Sequence, residues 1–420
     1  MGDTSKRNDA YAGQFIVVDL NRQKPHSITL PDWLKTDFVG GNGVGAKMLY
    51  DLCPTGADPL GPDNVLLFMT GPLTATAAPS MSACVVTKSP LTGISLDSFF
   101  GGRFGPEIKY AGNDGRIMTG QASRPTYLWI HGDGVEFRSA EGIWGTDALA
   151  ANAQIKKDLE AQDAQVVTIG PAGERQVPFA LICCEYNRQA GRGGAGAVMG
   201  SKHLKGIAIS GSRLVRVHDT ERFEAACRAA NADILASEAC EALTHSGTSN
   251  AVPWSNEVGT LPFRNYYDQV SPKADRLGDE GQGKHLFLGK AACFGCPIRC
   301  SQMGAVRTGK YAHTITDIVE YESAALMGTN LDIHDVRAVA HLVKLCDRFG
   351  LDSMSTGGVI GFAFEAVEKG VLSAPEGGDL RFGSVAGAEY LIRAIAFQDS
   401  DLGRLLGQGV KRAAAQLGKG

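Results

Sequence analysis

The period of the apolar residues changes once along this chain of 420 residues, near residue 212. A strand repeats every two residues and a helix every 3.6, so the two halves cannot be built from one kind of layer. Before the change, apolar residues come in short β-branched runs bounded by glycine and proline. Segments 14–20, 64–73, 81–87, 127–131, 135–137, 164–169, 179–184 and 205–210 read as strands. Gly132 and Gly134 supply the positive φ that a tight hairpin turn needs. One helix, at 146–161, interrupts them. Beyond residue 213 the spacing suits helices at 221–243, at 336–346 closing at Gly350, at 354–369 capped by Gly370, and at 402–417. The expectation is an α+β fold. A β-rich domain spans residues 1–212, and an α-helical domain spans 213–420.

Composition narrows the function classes. Lysine and arginine number 41 against 45 acids, a net charge of −4 with both signs interspersed. Such a balance argues against nucleic-acid or anionic-membrane binding through bulk charge. No run approaches the roughly 18 apolar residues of a membrane span, and the polar N-terminus lacks the apolar core of a secretory signal. A cytoplasmic protein is expected. Glycine is abundant, 53 residues clustered beside apolar strands, against a usual share of about 7%. Backbone without side chains can approach another group closely. Ten cysteines without a leader point to metal or redox chemistry rather than a disulfide framework.

The sharpest motif is Cys293-Phe294-Gly295-Cys296-Pro297-Ile298-Arg299-Cys300. Gaps of two and three residues let three thiolates converge from one tight turn, and three close cysteines plus a remote one suit a [4Fe–4S] cube. Zinc normally draws four ligands in paired spacings, and no second pair follows. Three buried structural cysteines are the remaining reading. Cys346 is the nearest downstream candidate for a fourth ligand, while Cys183, Cys184 and Cys227 read as core residues.

Two glycine loops, 40–47 and 191–196, invite a nucleotide reading. The second satisfies G-x-G-x-x-G, but no βαβ unit with a later acidic residue surrounds it. What remains is bare backbone N–H that can face phosphate oxygens, or plain turn geometry. Arg192 and Lys202 flank one loop and Lys47 ends the other, while Lys88, Gly101, Gly102 and Arg103 form a third glycine-and-base patch. Glu320 and Glu322 precede an apolar stretch, and Asp347 and Asp352 bracket Arg348-Phe349-Gly350-Leu351. These carboxylates serve either acid–base chemistry or a helix start. His334 and His341, seven apart, fit surface and core positions better than a metal pair.

Together these segments resemble the tungsten-dependent aldehyde:ferredoxin oxidoreductase family. The likeness runs through the glycine loop 40–47, Thr70-Gly71-Pro72-Leu73, 87–93, 101–112, 169–174, 191–202, 259–262, the cysteine triplet and Asp347–Asp352. It implies a base of two sheets carrying a tungsten (or molybdenum) bis-pterin cofactor. Gly101, Gly102, Arg192, Gly193, Gly194 and Gly196 would hold the pterin phosphates and the magnesium bridging them. Asp347, Gly350, Leu351 and Asp352 match the pterin-binding motif, in which the carboxylates accept hydrogen bonds from pterin nitrogens. Cys293, Cys296 and Cys300 match three ligands of the [4Fe–4S] cluster, and Glu322 matches the active-site glutamate.

Three departures accompany the likeness. The family's third domain, with its fourth cluster cysteine, second pterin motif and pocket histidine, has no counterpart after residue 352. Asn42 and Ser82 stand where many members carry arginine, and Arg103 stands where an uncharged residue is usual. No Glu-x-x-His occurs near 332–341. The resemblance implies oxidation of aldehydes to carboxylic acids, with electrons passing through the cluster to ferredoxin or a partner subunit. A homo- or hetero-oligomer is expected, including a chain that carries the missing domain. The alternatives are an aromatic acyl-CoA reductase-type subunit, or a truncated non-catalytic relative or half of a split enzyme.

Overall fold

The structure is a computed structural model that describes residues 9–418 except 81, 133, 186, 187, 318 and 377. Met81 at the head of one expected strand, Asp133 in the expected hairpin turn, and the first eight residues, where no secretory signal is expected, therefore lie outside the described residues. Twelve strands of the first half form two six-stranded sheets. The first contains β1 (Gln14–Asp19), β2 (Lys24–Thr29), β3 (Leu66–Thr70), β4 (Ala83–Lys88), β5 (Ser95–Phe100) and β6 (Gly115–Thr119). Their order is β2-β1-β6-β3-β4-β5, antiparallel except for β1 beside β6. The second contains β7 (Thr126–His131), β8 (Gly134–Ser139), β9 (Gln165–Thr168), β10 (Ile182–Cys184), β11 (Arg188–Ala190) and β12 (Leu204–Ser210). Its order is β11-β10-β9-β12-β7-β8, with β12 and β7 the parallel pair.

Both faces of each sheet are covered, which explains why the strands read as continuous apolar runs rather than alternating ones. In β3, Leu66 and Phe68 point into the core between the sheets, and Leu67 and Met69 point the other way. Phe104, Ile108, Val198 and Met199, from the helices Phe104–Tyr110 and Ala195–Ser201, complete the inter-sheet core. The outer face of the first sheet packs on Val44, Met48 and Leu49 of the helix Gly41–Leu52. The outer face of the second packs on Ala151 and Ile155 of the helix Ala148–Asp158.

The expected glycine loop at 40–47 is therefore not a loop but the start of a helix. A Cβ on Gly45 would come 2.6 Å from Val86 Cγ2, so glycine lets this helix lie directly on β4. Lys47 pairs with Asp51 and sits over the Trp33 ring. The edge strand β2, Lys24-Pro25-His26-Ser27-Ile28-Thr29, is almost wholly exposed and carries no apolar signal.

The second half is mainly helical, with one small antiparallel sheet of β13 (Phe287–Ala291), β14 (Ser301–Ala305) and β15 (Ile315–Asp317). The helix expected at 221–243 divides in two at Ser237, whose hydroxyl caps the second by accepting from Cys240 N at 3.1 Å. The one expected at 402–417 divides at Gly407–Gly409 into Asp401–Leu406 and Val410–Leu417. Val336–Phe349 ends at Gly350 with φ 76°, a left-handed position that favours glycine. Backbone joins the halves beyond it. Leu181 N donates to Gly350 O at 2.9 Å, Asp352 N to Phe179 O at 3.2 Å, and Ala180 bridges Leu351. A Cβ on Gly170 would stand 2.3 Å from Phe349 C, so the seam closes on bare backbone.

Candidate functional site

Beside this seam lies a cleft of about 270 Å³ walled by both halves. From the first half come Gln189, Gly191 and Arg192. From the second come Asp317, Glu320, Glu322, Asp347 and Asp352. Asp347 is in the last turn of Val336–Phe349 and is buried, with Gln189 Nε2 donating to Oδ1 at 3.0 Å. Burial pushes its carboxyl up to about 7. Lys344 opposes the rise, and the negative Asp317 and Glu320 add to it. Asp352 caps the helix Ser353–Glu368, accepting from Met354 N and Ser355 N, each at 3.1 Å. Arg192 Nε stands 3.6 Å from Asp352 Oδ2, with most of its side chain in solvent.

Glu322 opens the helix Tyr321–Met327 and is exposed along the cleft wall. Glu320 reaches the cleft water yet is enclosed on its other sides. That enclosure raises its carboxyl, and Asp317 and Glu322 raise it further. The start of one helix thus supplies two carboxylates to the cleft, and a helix cap and a buried turn supply two more.

The cysteine loop adjoins the cleft. Cys296 N donates to Cys293 O at 3.1 Å, and Gly295 turns the chain at φ 66°. Gly101 lies under the loop, where a Cβ would come 2.4 Å from Cys293 Sγ, and Gly102, φ 88°, accepts from Phe294 N at 3.3 Å. Arg103 lies over the Phe294 ring. Burial raises the Cys300 thiol, and the neighbouring Cys293 and Cys296 raise it further, so the three sulfurs share one field. Arg188 joins loop to cleft, because its guanidinium interacts with Cys293 and its Nη1 pairs with Asp317 Oδ2 at 2.8 Å. Burial opposes that charge, but the two acidic partners outweigh it and raise the guanidinium above its usual value.

These donors fit an iron–sulfur cube. Three thiols lie on one turn within one another's electrostatic reach, with a fixed cation beside them, and a cube takes one thiolate per iron. Among the described residues no three His, Cys, Asp or Glu side chains surround a single ion. Cys346 does not join the group. It is fully buried in the helical core against Thr356, and burial holds its thiol well above the usual range.

Arg192, Glu322, Asp347 and Asp352 thus meet in the cleft, while other expected residues stand behind it. Gly193 and Gly194 have φ of 88° and 90°, and Gly196 N donates to Ala180 O at 2.9 Å. A Cβ on Gly194 would meet Pro178 O at 2.1 Å, and one on Gly196 would meet Leu181 O at 2.2 Å. Gly350 and Leu351 make the seam. Lys202, expected to flank the loop, is buried with Nζ donating to Gly120 O at 3.0 Å and to Asn64 O, and burial lowers it to about 8. Lys88 Nζ donates to Ala57 O at 2.7 Å. Sequence reasoning missed Arg188, Gln189 and Asp317. The first two lie just before the glycine loop, with Arg188 four residues from Arg192, and Asp317 ends a three-residue strand with no motif.

The chain matches the family model for the aldehyde ferredoxin oxidoreductase N-terminal domain over residues 15–211, and that for domains 2 and 3 over 225–420. It is 37% identical over 412 residues to the tungsten-containing aldehyde ferredoxin oxidoreductase of Thermococcus kodakarensis, covering 97% of this chain and 67% of that protein. The enzyme of the same name from Pyrococcus furiosus is 36% identical with the same coverage. The aliphatic sulfonate oxidoreductase WOR-like subunit of that organism is 31% identical, covering 97% and 68%. Among solved structures, the active-site complex BamBC of benzoyl coenzyme A reductase with 1,5 dienoyl-CoA superposes with a TM-score of 0.85 at 27% identity. It covers 98% of this chain and 64% of that one.

Proposed function

Because the chain belongs to the aldehyde ferredoxin oxidoreductase family, we propose that it serves an oxidoreductase converting aldehyde and water to carboxylate, three protons and two electrons. The observation that carries this reading is the meeting of Glu322, Asp347, Asp352 and Arg192 in one cleft, tied through Arg188 to the three-cysteine loop. When bound, a tungsten (or molybdenum) bis-pterin supplies the two-electron redox chemistry. Asp347 and Asp352 would hold the pterin by accepting hydrogen bonds from its nitrogens. Arg192 would balance phosphate charge together with a magnesium ion, and two separate turns, one at Gly101 and Gly102 and one at Gly193, Gly194 and Gly196, would shape the backbone nearby. Glu322, open to the cleft, takes a proton from the attacking water. Cys293, Cys296 and Cys300 would hold a [4Fe–4S] cluster, which would supply one-electron transfer toward ferredoxin or an electron-transfer subunit.

A second reading, a subunit reducing an aromatic acyl-CoA, draws support from the structural likeness to the benzoyl coenzyme A reductase complex. Tungsten, molybdenum and iron analysis of anaerobically purified protein tests for the centre. Viologen-linked assays then separate the readings. Aldehyde oxidation by the chain, or by the chain with a co-expressed partner, supports the first, and acyl-CoA reduction by reduced viologen supports the second. Absence of all three metals from protein made under supply would leave a non-catalytic relative as the conclusion.

A further inference from the structure

The cysteine loop has an outer surface that the chemistry of the cleft does not use. Cys300 is exposed, Cys293 and Cys296 are half-buried, and Gly295 is exposed in the turn between them. Arg299 stands between the second and third cysteines with φ 54°. That left-handed region favours glycine, because a Cβ there crowds the following carbonyl. The Arg299 side chain is exposed and makes no hydrogen bond or ion pair among the described residues. An arginine held at a strained position, with no contact in its own chain to offset the strain, points to a use outside this chain.

A second guanidinium flanks the loop from the first half. Arg103 is exposed and lies 5.9 Å from the Phe294 ring centroid, and Tyr110 meets the same ring edge-on at 6.3 Å. Arg103 forms no ion pair among the described residues and does not line the cleft. The acids around it are engaged elsewhere. Glu185 accepts from Arg103 N at 2.7 Å, Glu107 from Gly211 N at 2.9 Å, and Asp317 from Arg188 at 2.8 Å, while Glu320 faces the cleft. The outward side of the loop is therefore positive, with a half-buried aromatic ring at its centre. Arginine and aromatic side chains are the types that anchor protein interfaces.

We propose that this face docks an acidic one-electron carrier protein, whose surface carboxylates pair with Arg103 and Arg299 on either side of Phe294. Each guanidinium can offer a carboxylate two parallel hydrogen bonds, and neither has a competing acid in its own chain. The docked carrier covers the exposed Cys300. One electron crosses per encounter, so the centre held by the loop is oxidised by one electron and the carrier reduced by one. No bond forms or breaks. The origin of that electron rests on the function proposed above, whereas the docking rests on this face alone.

The test is binding of two carrier proteins to the anaerobically purified full chain, an acidic plant-type ferredoxin and the basic cytochrome c. In about 20 mM salt the ferredoxin should bind about tenfold more tightly than cytochrome c, and in about 500 mM salt that preference should vanish through screening. Combining Arg103→Gln with Arg299→Gly should weaken the ferredoxin about tenfold at the lower salt. Arg299→Gly alone should keep or raise the unfolding midpoint, because glycine relieves the left-handed strain, and this separates docking from folding. Viologen-linked turnover of the unaltered chain needs no docked protein, so it reports on the cleft chemistry independently of the binding. Equal affinity for the two carriers, affinity indifferent to salt, or unaltered ferredoxin affinity in the folded double variant each overturns the proposal.

Discussion

Asp347 and Glu322 differ in what their surroundings ask of a carboxylate. Asp347 is buried and lifted from 3.8 to about 7, so the fold disfavours its ionised form. The folded value exceeds the unfolded one, so no penalty exists below about pH 4. The penalty grows as pH rises through 7, toward roughly 4 kcal/mol. Asp347→Asn keeps an oxygen for Gln189 and should stabilise the cofactor-free protein by roughly 2–4 kcal/mol at pH 8, with little effect near pH 4. Urea unfolding at the two pH values measures this, and equal stability at pH 8 would show a solvated carboxylate. Glu322 lies in the open cleft and would carry the proton transfer in the proposed reaction. In protein loaded with its metal centre, Glu322→Gln should lower kcat by about 10²–10⁴-fold with tungsten and iron contents unchanged. Wild-type turnover would remove Glu322 from the reaction.

At the level of elements, the cysteine loop is a turn held by what lies beneath it. Cys296→Ala should abolish the broad visible absorbance and the reduced-state EPR signal of the cluster while the helices around it persist. Unchanged iron and spectra would dismiss the three-thiolate assignment. The strand β6 carries the opposite feature, a charge without an evident partner. Arg116 is 3% exposed, its Nε has no hydrogen-bond partner among the described residues, and burial lowers it to about 9. Arg116→Met should be neutral or stabilising by roughly 1–4 kcal/mol, since apolar packing replaces an uncompensated charge. A large loss of stability would mean that an anion sits against the guanidinium.

These two elements also mark what the sequence could tell. Spacing alone singled out the cysteine triplet, whereas the Asp347–Asp352 turn was singled out by the family resemblance. β2, β6 and β15 escaped for different reasons. The first is exposed along a sheet edge, the second hides a cation in a central strand, and the third is three residues long. Glycine runs were ambiguous for a physical reason. Gly45 serves helix–sheet contact, Gly194 a left-handed turn and Gly101 the underside of a thiol, and no local pattern separates these uses.

Across the whole molecule, two sheets with their covering helices form one body, and the helices and the small sheet form the other. The fold class was legible because the apolar period itself changes. The cleft was legible only in part, since its walls come from residues 189–192 and 317–352, far apart in the chain. No helix among the described residues is long and apolar enough to cross a membrane.

Leu181, Gly350, Phe179 and Asp352 stitch these bodies together through main-chain groups, while residues 211–219 run between them largely exposed, with Leu214 90% accessible. Covalent continuity is therefore a minor part of what unites the halves. A protease cutting at 212–216 should yield two fragments that co-elute as one particle under native conditions and part only in denaturant. Separate elution of the fragments would show that the tether matters more than the suture. If they stay together, the gene could undergo fission at this point, or its two products be supplied in trans, without the cleft losing either wall.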